Sequence, residues 1–141
     1  LEHEAAALYE AATAFIRVYQ FRDRDQAARQ GLTVVQAYAL DILLKRDGQR
    51  LTELAAELQL DKSTASRVVA GMKRHGLVEW SRPVEDRRAI SIVATAQGKQ
   101  RYERLRRAIL RENARLLTSY APAARRAAIT ILQQLVERAH S

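Results

Sequence analysis

Just after Asp61 the chain sets Lys62, Ser63, Thr64, Ser66 and Arg67 close together, with Lys73 and Arg74 further along. Asp61 suits a helix N-cap, and on the helix it starts Ala65, Val68, Val69 and Met72 form an apolar stripe. Ser63, Ser66, Arg67, Ala70, Lys73 and Arg74 fall on the opposite face. Small hydroxyl residues at a helix N-terminus let that end enter a groove closely and hydrogen-bond to bases or phosphates. Arg67 is the strongest base reader, because a guanidinium bonds a guanine edge in bidentate fashion, worth about 1 to 3 kcal/mol of discrimination. Lys73 and Arg74 suit phosphates. Taken alone, an ordinary amphipathic helix with a solvated polar face has the same pattern.

A second basic cluster follows. Gly76-Leu77 should stop the helix, Val78 to Ser81 reads as a strand, and Ala89 to Ala94 as its return, with Ile90, Ile92 and Ala94 alternating with Ser91 and Val93. The intervening loop, Arg82-Pro83-Val84-Glu85-Asp86-Arg87-Arg88, concentrates Arg82, Arg87 and Arg88, and an arginine there suits the narrow, electronegative minor groove. Asp86 would hold one arginine through a charge-assisted bond. A charged loop is usually just solvated, but behind two short helices it becomes specific.

Other elements must position these groups. Thr52 is expected to cap a support helix from Glu53 to Leu58, whose Leu54, Ala55 and Leu58 face inward. Upstream, Leu8, Ala12, Phe15, Ile16 and Tyr19 recur at i, i+4, i+7, i+8 and i+11 on a first helix running to about Gln30, before Gly31. Thr33 and Gln36 form a capping box for a second helix, Val34 to Arg46, with Ala37, Leu40, Leu43 and Leu44 inward and Asp47-Gly48 closing it. Downstream, Gln97 to Leu117 is amphipathic and rich in arginine, and Pro122 opens a final helix striped by Ile129, Leu132, Leu135, Val136 and Ala139. The order predicts a mostly α fold with a small β-wing. This is a winged helix-turn-helix over residues 32–95, flanked by dimerisation helices at 1–31 and 96–141. The outer stripes flank a unit that already buries its own core, so a second copy of the chain is the economical way to cover them.

Composition sets limits. The 141 residues, 48% hydrophobic, support one globular domain with helical extensions. Twenty-four basic against 16 acidic residues leave +8, which favours an anionic partner such as nucleic acid or an anionic membrane surface. No apolar run approaches the roughly 20 residues of a membrane span, and no basic-then-apolar leader opens the chain, so a cytoplasmic protein without a membrane partner is expected. The chain begins at Leu1, not Met, and native residues are expected before it. Absence of cysteine removes thiol nucleophiles, disulfides and Cys-based zinc sites. His3, His75 and His140 show no ligand spacing, and no HExxH, GxSxG, Walker or GxGxxG pattern occurs, so no enzyme, metal or cofactor is expected.

These features resemble the MarR family of bacterial transcriptional regulators, in LTELAAELQLDKSTASRVVAGMKRHGLVEW and in the wing segment EDRRAISIVATAQGK. The resemblance covers nearly the whole chain. It implies an obligate dimer of winged-helix subunits on double-stranded DNA. Lys62, Ser63, Thr64, Ser66 and Arg67 would begin the recognition helix, Arg88 would enter the minor groove, and Asp86 would orient it. It also implies a cleft between the dimerisation helices and the DNA-binding lobe for a small aromatic or anionic effector. Trp80 and Ser81 stand where many relatives carry arginine, and Ala94 where leucine commonly precedes the threonine, here Thr95. Trp80 is expected to pack under the wing or, as the weaker reading, to line the cleft. Tyr9, Arg17, Tyr19, Tyr38 and Trp80 are cleft candidates mostly of types equally suited to packing, which is the better reading of them. Ligand residues therefore stay unassigned. Two functional readings follow. One is a homodimeric repressor on an inverted-repeat operator, released by a small ligand. The other is a winged-helix adaptor that binds protein instead of DNA.

Overall fold

A computed structural model of the protein describes residues 1–82 and 90–141. Among these, six helices and two strands occur in the order α1 (Glu2–Arg29), α2 (Val34–Lys45), α3 (Leu51–Leu58), α4 (Lys62–Arg74), β1 (Val78–Ser81), β2 (Ser91–Ala94), α5 (Ala96–Leu117) and α6 (Pro122–Ala139). The mostly α architecture with a two-stranded wing matches the expectation. The chain forms two compact units, Leu1–Arg106 and Arg107–Ser141.

In the first unit, helix boundaries follow from local chemistry. The N–H of Gln36 donates to Thr33 Oγ1 at 3.1 Å and the N–H of Thr33 to Gln36 Oε1 at 3.0 Å, the expected reciprocal capping box of α2. Helix α3 departs from the expected start at Glu53. It begins at Leu51 on Arg50, whose N–H donates to Glu53 Oε1 at 3.2 Å while its carbonyl accepts from Leu54 at 3.0 Å. A carboxylate two residues into the helix therefore fixes the start, and Thr52 is left exposed. Helix α4 ends through Gly76 at φ 72°, a left-handed conformation that glycine takes without steric cost.

Strands β1 and β2 are antiparallel, pairing Val78 with Ala94, Trp80 with Ile92 and Ser81 with Ser91. The return strand begins at Ser91, two residues later than the expected Ala89. Ile90 stands outside it, and Ala89 lies outside the described residues. β2 gains a second neighbour that periodicity did not suggest. Gln49 donates to the Ile92 carbonyl at 3.0 Å and accepts from its N–H at 2.7 Å, tying the α2–α3 connection to the wing base.

The core gathers Leu40 and Leu43 from α2, Leu54 from α3, Met72 from α4, then Leu77 and Ile92, all fully buried. Each such side chain contributes roughly 1.5–3 kcal/mol by leaving water. Ala39, also fully buried, was not among the expected inward residues, and Leu44 is half-buried instead. α5 is seated on this core through Thr95, whose hydroxyl donates to the Gly76 carbonyl at 2.6 Å and accepts from the Gly98 N–H at 3.0 Å. Gly98 is required by close approach, since a Cβ there would stand 2.2 Å from the Leu77 carbonyl oxygen. Tyr102, further along α5, donates its hydroxyl to the Asp41 carboxylate of α2. Burial and this bond push the phenol pKa up, so it stays a donor.

Much of each outer stripe is exposed among the described residues. Leu8, Phe15 and Ile16 of α1 are 45–53% exposed. In the second unit, Ile129, Leu132, Leu135 and Val136 of α6 are 42–58% exposed.

Candidate nucleic-acid interface

Helix α4 starts on a charged cap. Asp61 accepts from the Thr64 N–H at 2.7 Å, from Ser63 Oγ at 2.7 Å and from Thr64 Oγ1 at 3.0 Å. These bonds, the backbone one foremost, hold its carboxyl down at about 2, with the Arg67 charge adding to them. The carboxylate is thus ionised at neutral pH, beside the positive end of the helix dipole.

This geometry divides the hydroxyl residues. Ser63 and Thr64 direct their protons to Asp61, which leaves them acceptor lone pairs to present outward. Ser66 keeps an exposed hydroxyl. Thr64 is half-buried and also accepts from Arg67 Nη2 at 3.3 Å, so the guanidinium is steered by the same cap. Lys62, Ser63, Ser66, Arg67, Lys73 and Arg74 are all exposed, while Ala65, Val69 and Met72 on the other face are buried. Val68 is half-buried. The two-faced division read from spacing therefore holds in the folded chain, because the apolar face is covered by α2, α3 and the wing base.

The wing's contribution is described only in part. Arg82 follows β1 and is exposed. Asp86, Arg87 and Arg88 lie outside the described residues. Trp80 shares a strand face with Val78 and pairs across to buried Ile92, yet 41% of its own surface stays open. Packing under the wing accounts for only part of its surface.

The cleft candidates separate. Tyr19 stacks on Phe15 at 4.1 Å and carries the Arg22 guanidinium over its ring at 3.9 Å, a packing role. Tyr9 and Tyr38 are 69% and 53% exposed, so packing within this chain does not account for them. Spacing missed the roles of Gln49 and Thr95, and it placed Tyr102 on the stripe of its helix without pointing to Asp41 as its partner. Among the described residues no three His, Asp or Glu side chains converge on a metal-sized site, and no helix is long and apolar enough to cross a membrane.

Residues 30–89, from the start of the helix-turn-helix through the wing loop, match the model of the MarR family. The chain is also 23% identical over 112 residues to the HTH-type transcriptional regulator BilQ of Clostridium symbiosum, covering 79% of this chain and 78% of that one. The segment over residues 30–89 is thus of the MarR type. The MarR fold extends beyond the matched segment. A MarR family protein from Bacillus stearothermophilus superposes with a TM-score of 0.92 at 23% identity, over 100% of this chain and 99% of that one. A mutant of S. aureus MepR bound to an oligodeoxyribonucleotide superposes with a TM-score of 0.66 at 17% identity, over 92% of this chain and 96% of that one. The matched segment contains α4 and its Asp61 cap.

Proposed function

We propose that this regulator is a cytoplasmic homodimer that binds an inverted-repeat operator in double-stranded DNA, represses transcription there, and is released by a small ligand. The observation that carries the reading is the face of α4. Exposed Lys62, Ser66, Arg67, Lys73 and Arg74 lie opposite a buried apolar face, on a helix whose N-terminus is open to an approaching groove. The MepR mutant bound to an oligodeoxyribonucleotide, which shares this fold, supports DNA as the partner. Arg67, steered by Thr64, reads a base edge, while Lys73 and Arg74 meet phosphates. Arg82, Arg87 and Arg88, with Asp86 as the expected partner of Arg88, form the wing's proposed share.

Dimerisation is supported by the open apolar stripes of α1 and α6, because exposed apolar surface of that extent marks a partner face. The helices over residues 1–31 and 96–141 are its dimerisation elements. A twofold dimer places half-sites about one helical turn apart, roughly 10 base pairs. DNA selected from a random pool, followed by footprinting at physiological salt, tests the reading. Symmetric protection of an inverted repeat is expected. Equal affinity for random and selected DNA, or asymmetric protection, overturns it.

A further inference from the structure

We infer that the groove between α2 and α3 is a binding site for a small aromatic cation. The groove, 320 Å³, is lined by Tyr38, Asp41, Ile42, Glu57, Leu58 and Gln59. That volume suits a small ligand, and the lining holds two carboxylates and no cationic side chain. Exposed Tyr38 offers a ring face to a cation, and Ile42 and Leu58 offer apolar wall to the rest of the ligand.

Both carboxylates are fixed by neutral donors that do not line the groove. The Tyr102 hydroxyl holds Asp41, and Gln49 Nε2 holds Glu57 Oε1 at 2.8 Å. These bonds set position without cancelling charge. The cations that do cancel it, Lys45 on Asp41 at 2.9 Å and Arg46 on Glu57 at 2.8 Å, stand outside the lining with side chains 73% and 64% exposed. Exposed pairs of this kind contribute little and are screened by salt, so an ammonium group in the groove replaces Lys45 or Arg46 at small cost. It gains the Tyr38 ring in exchange. An anion meets two carboxylates instead.

A second feature stands beside Glu57. Gln49 is only 5% exposed, and its Oε1 has no hydrogen-bond partner among the described residues, although its Nε2 is engaged by Glu57. That oxygen lies outside the groove lining, so Gln49 bears on the site only through its bond to Glu57. The backbone of Gln49 is also the residue paired with Ile92 at the wing base. A cation that draws on Glu57 therefore acts on the group that anchors β2. This assigns a site and a chemical class to the proposed effector, and rests on the DNA reading only for the effect on operator binding.

Calorimetric titration of the full chain without DNA tests the site, using benzyltrimethylammonium, tetramethylammonium and benzenesulfonate as probes. Saturable binding of benzyltrimethylammonium is expected, about tenfold or more tighter than either other probe. Tyr38→Ala and Glu57→Gln, each melting like the parent, should weaken it about fivefold or more. Tyr38→Ala alters an exposed side chain, and Glu57→Gln keeps an acceptor for Gln49, so a folded variant is in hand for each arm. No saturation at millimolar cation, equal binding of benzenesulfonate, or parental affinity in either variant overturns the site. Because DNA is absent, these results stand whether or not operator binding is found.

Discussion

The seat of α5 offers a sharp energetic test, because two well-understood effects oppose each other at Gly98. Replacing this helical glycine with alanine gains about 0.8–1 kcal/mol of helix propensity. The added Cβ, however, would stand 2.2 Å from the Leu77 carbonyl oxygen, 3.0 Å from its carbon and 3.1 Å from Leu40 Cδ2. The carbonyl cannot turn away freely, since it accepts from the Thr95 N–H at 3.0 Å. Breaking that bond costs about 1–3 kcal/mol, and forcing the helix off the packed Leu40 costs about 1–3 kcal/mol more. Costs of about 2–6 kcal/mol, less the propensity gain, leave a net loss of roughly 1–5 kcal/mol, centred near 3. For a chain of this length that corresponds to melting about 10 °C lower. Parent and Gly98→Ala should be compared by thermal denaturation at equal protein concentration, because self-association shifts apparent stability. An unchanged or raised melting temperature would refute the reasoning, showing that α5 can step back from Leu77 at less than the cost of a glycine.

Three other outcomes are expected. Arg67→Ala should lose about 1–3 kcal/mol of operator affinity with relaxed base preference, whereas Lys73→Ala should weaken all sequences alike and lower the salt slope by about 1; binding isotherms over a salt series separate the two. The depressed Asp61 carboxyl makes its cap a contribution fully present above the ordinary 3.8 and lost as pH falls through about 2. The stability gap between parent and Asp61→Asn should therefore narrow across that window in an acid titration followed by circular dichroism, and a gap indifferent to pH counts against the cap; full exposure keeps the effect small. Replacing exposed Ile129 and Leu132 together with aspartate should leave the folded chain intact but shift it to monomer in sedimentation velocity, with loss of operator binding. A variant that stays dimeric removes α6 from the interface.

What could be read from the residues in order was what depends on neighbours within a turn or two of chain. The Thr33–Gln36 box, the Asp61 cap, the stop at Gly76, the strand Val78–Ser81 and the two faces of α4 are all of this kind, because their hydrogen bonds and periodicities are set by residues three or four apart. Even locally, competition mattered: Arg50 with Glu53 displaced the expected Thr52 cap, and the Ser63 and Thr64 hydroxyls went to Asp61. Tertiary structure alone decided which of the long-range partners meet. Tyr102 reaches Asp41 across 61 positions, Thr95 bridges Gly76 and Gly98, and Gln49 joins Ile92 at the wing base. No spacing announces such pairs, since each exists only because burying Leu40, Leu54, Met72, Leu77 and Ile92 in one core draws distant backbone into contact. Polar groups caught there must then find partners among whatever the fold has brought beside them.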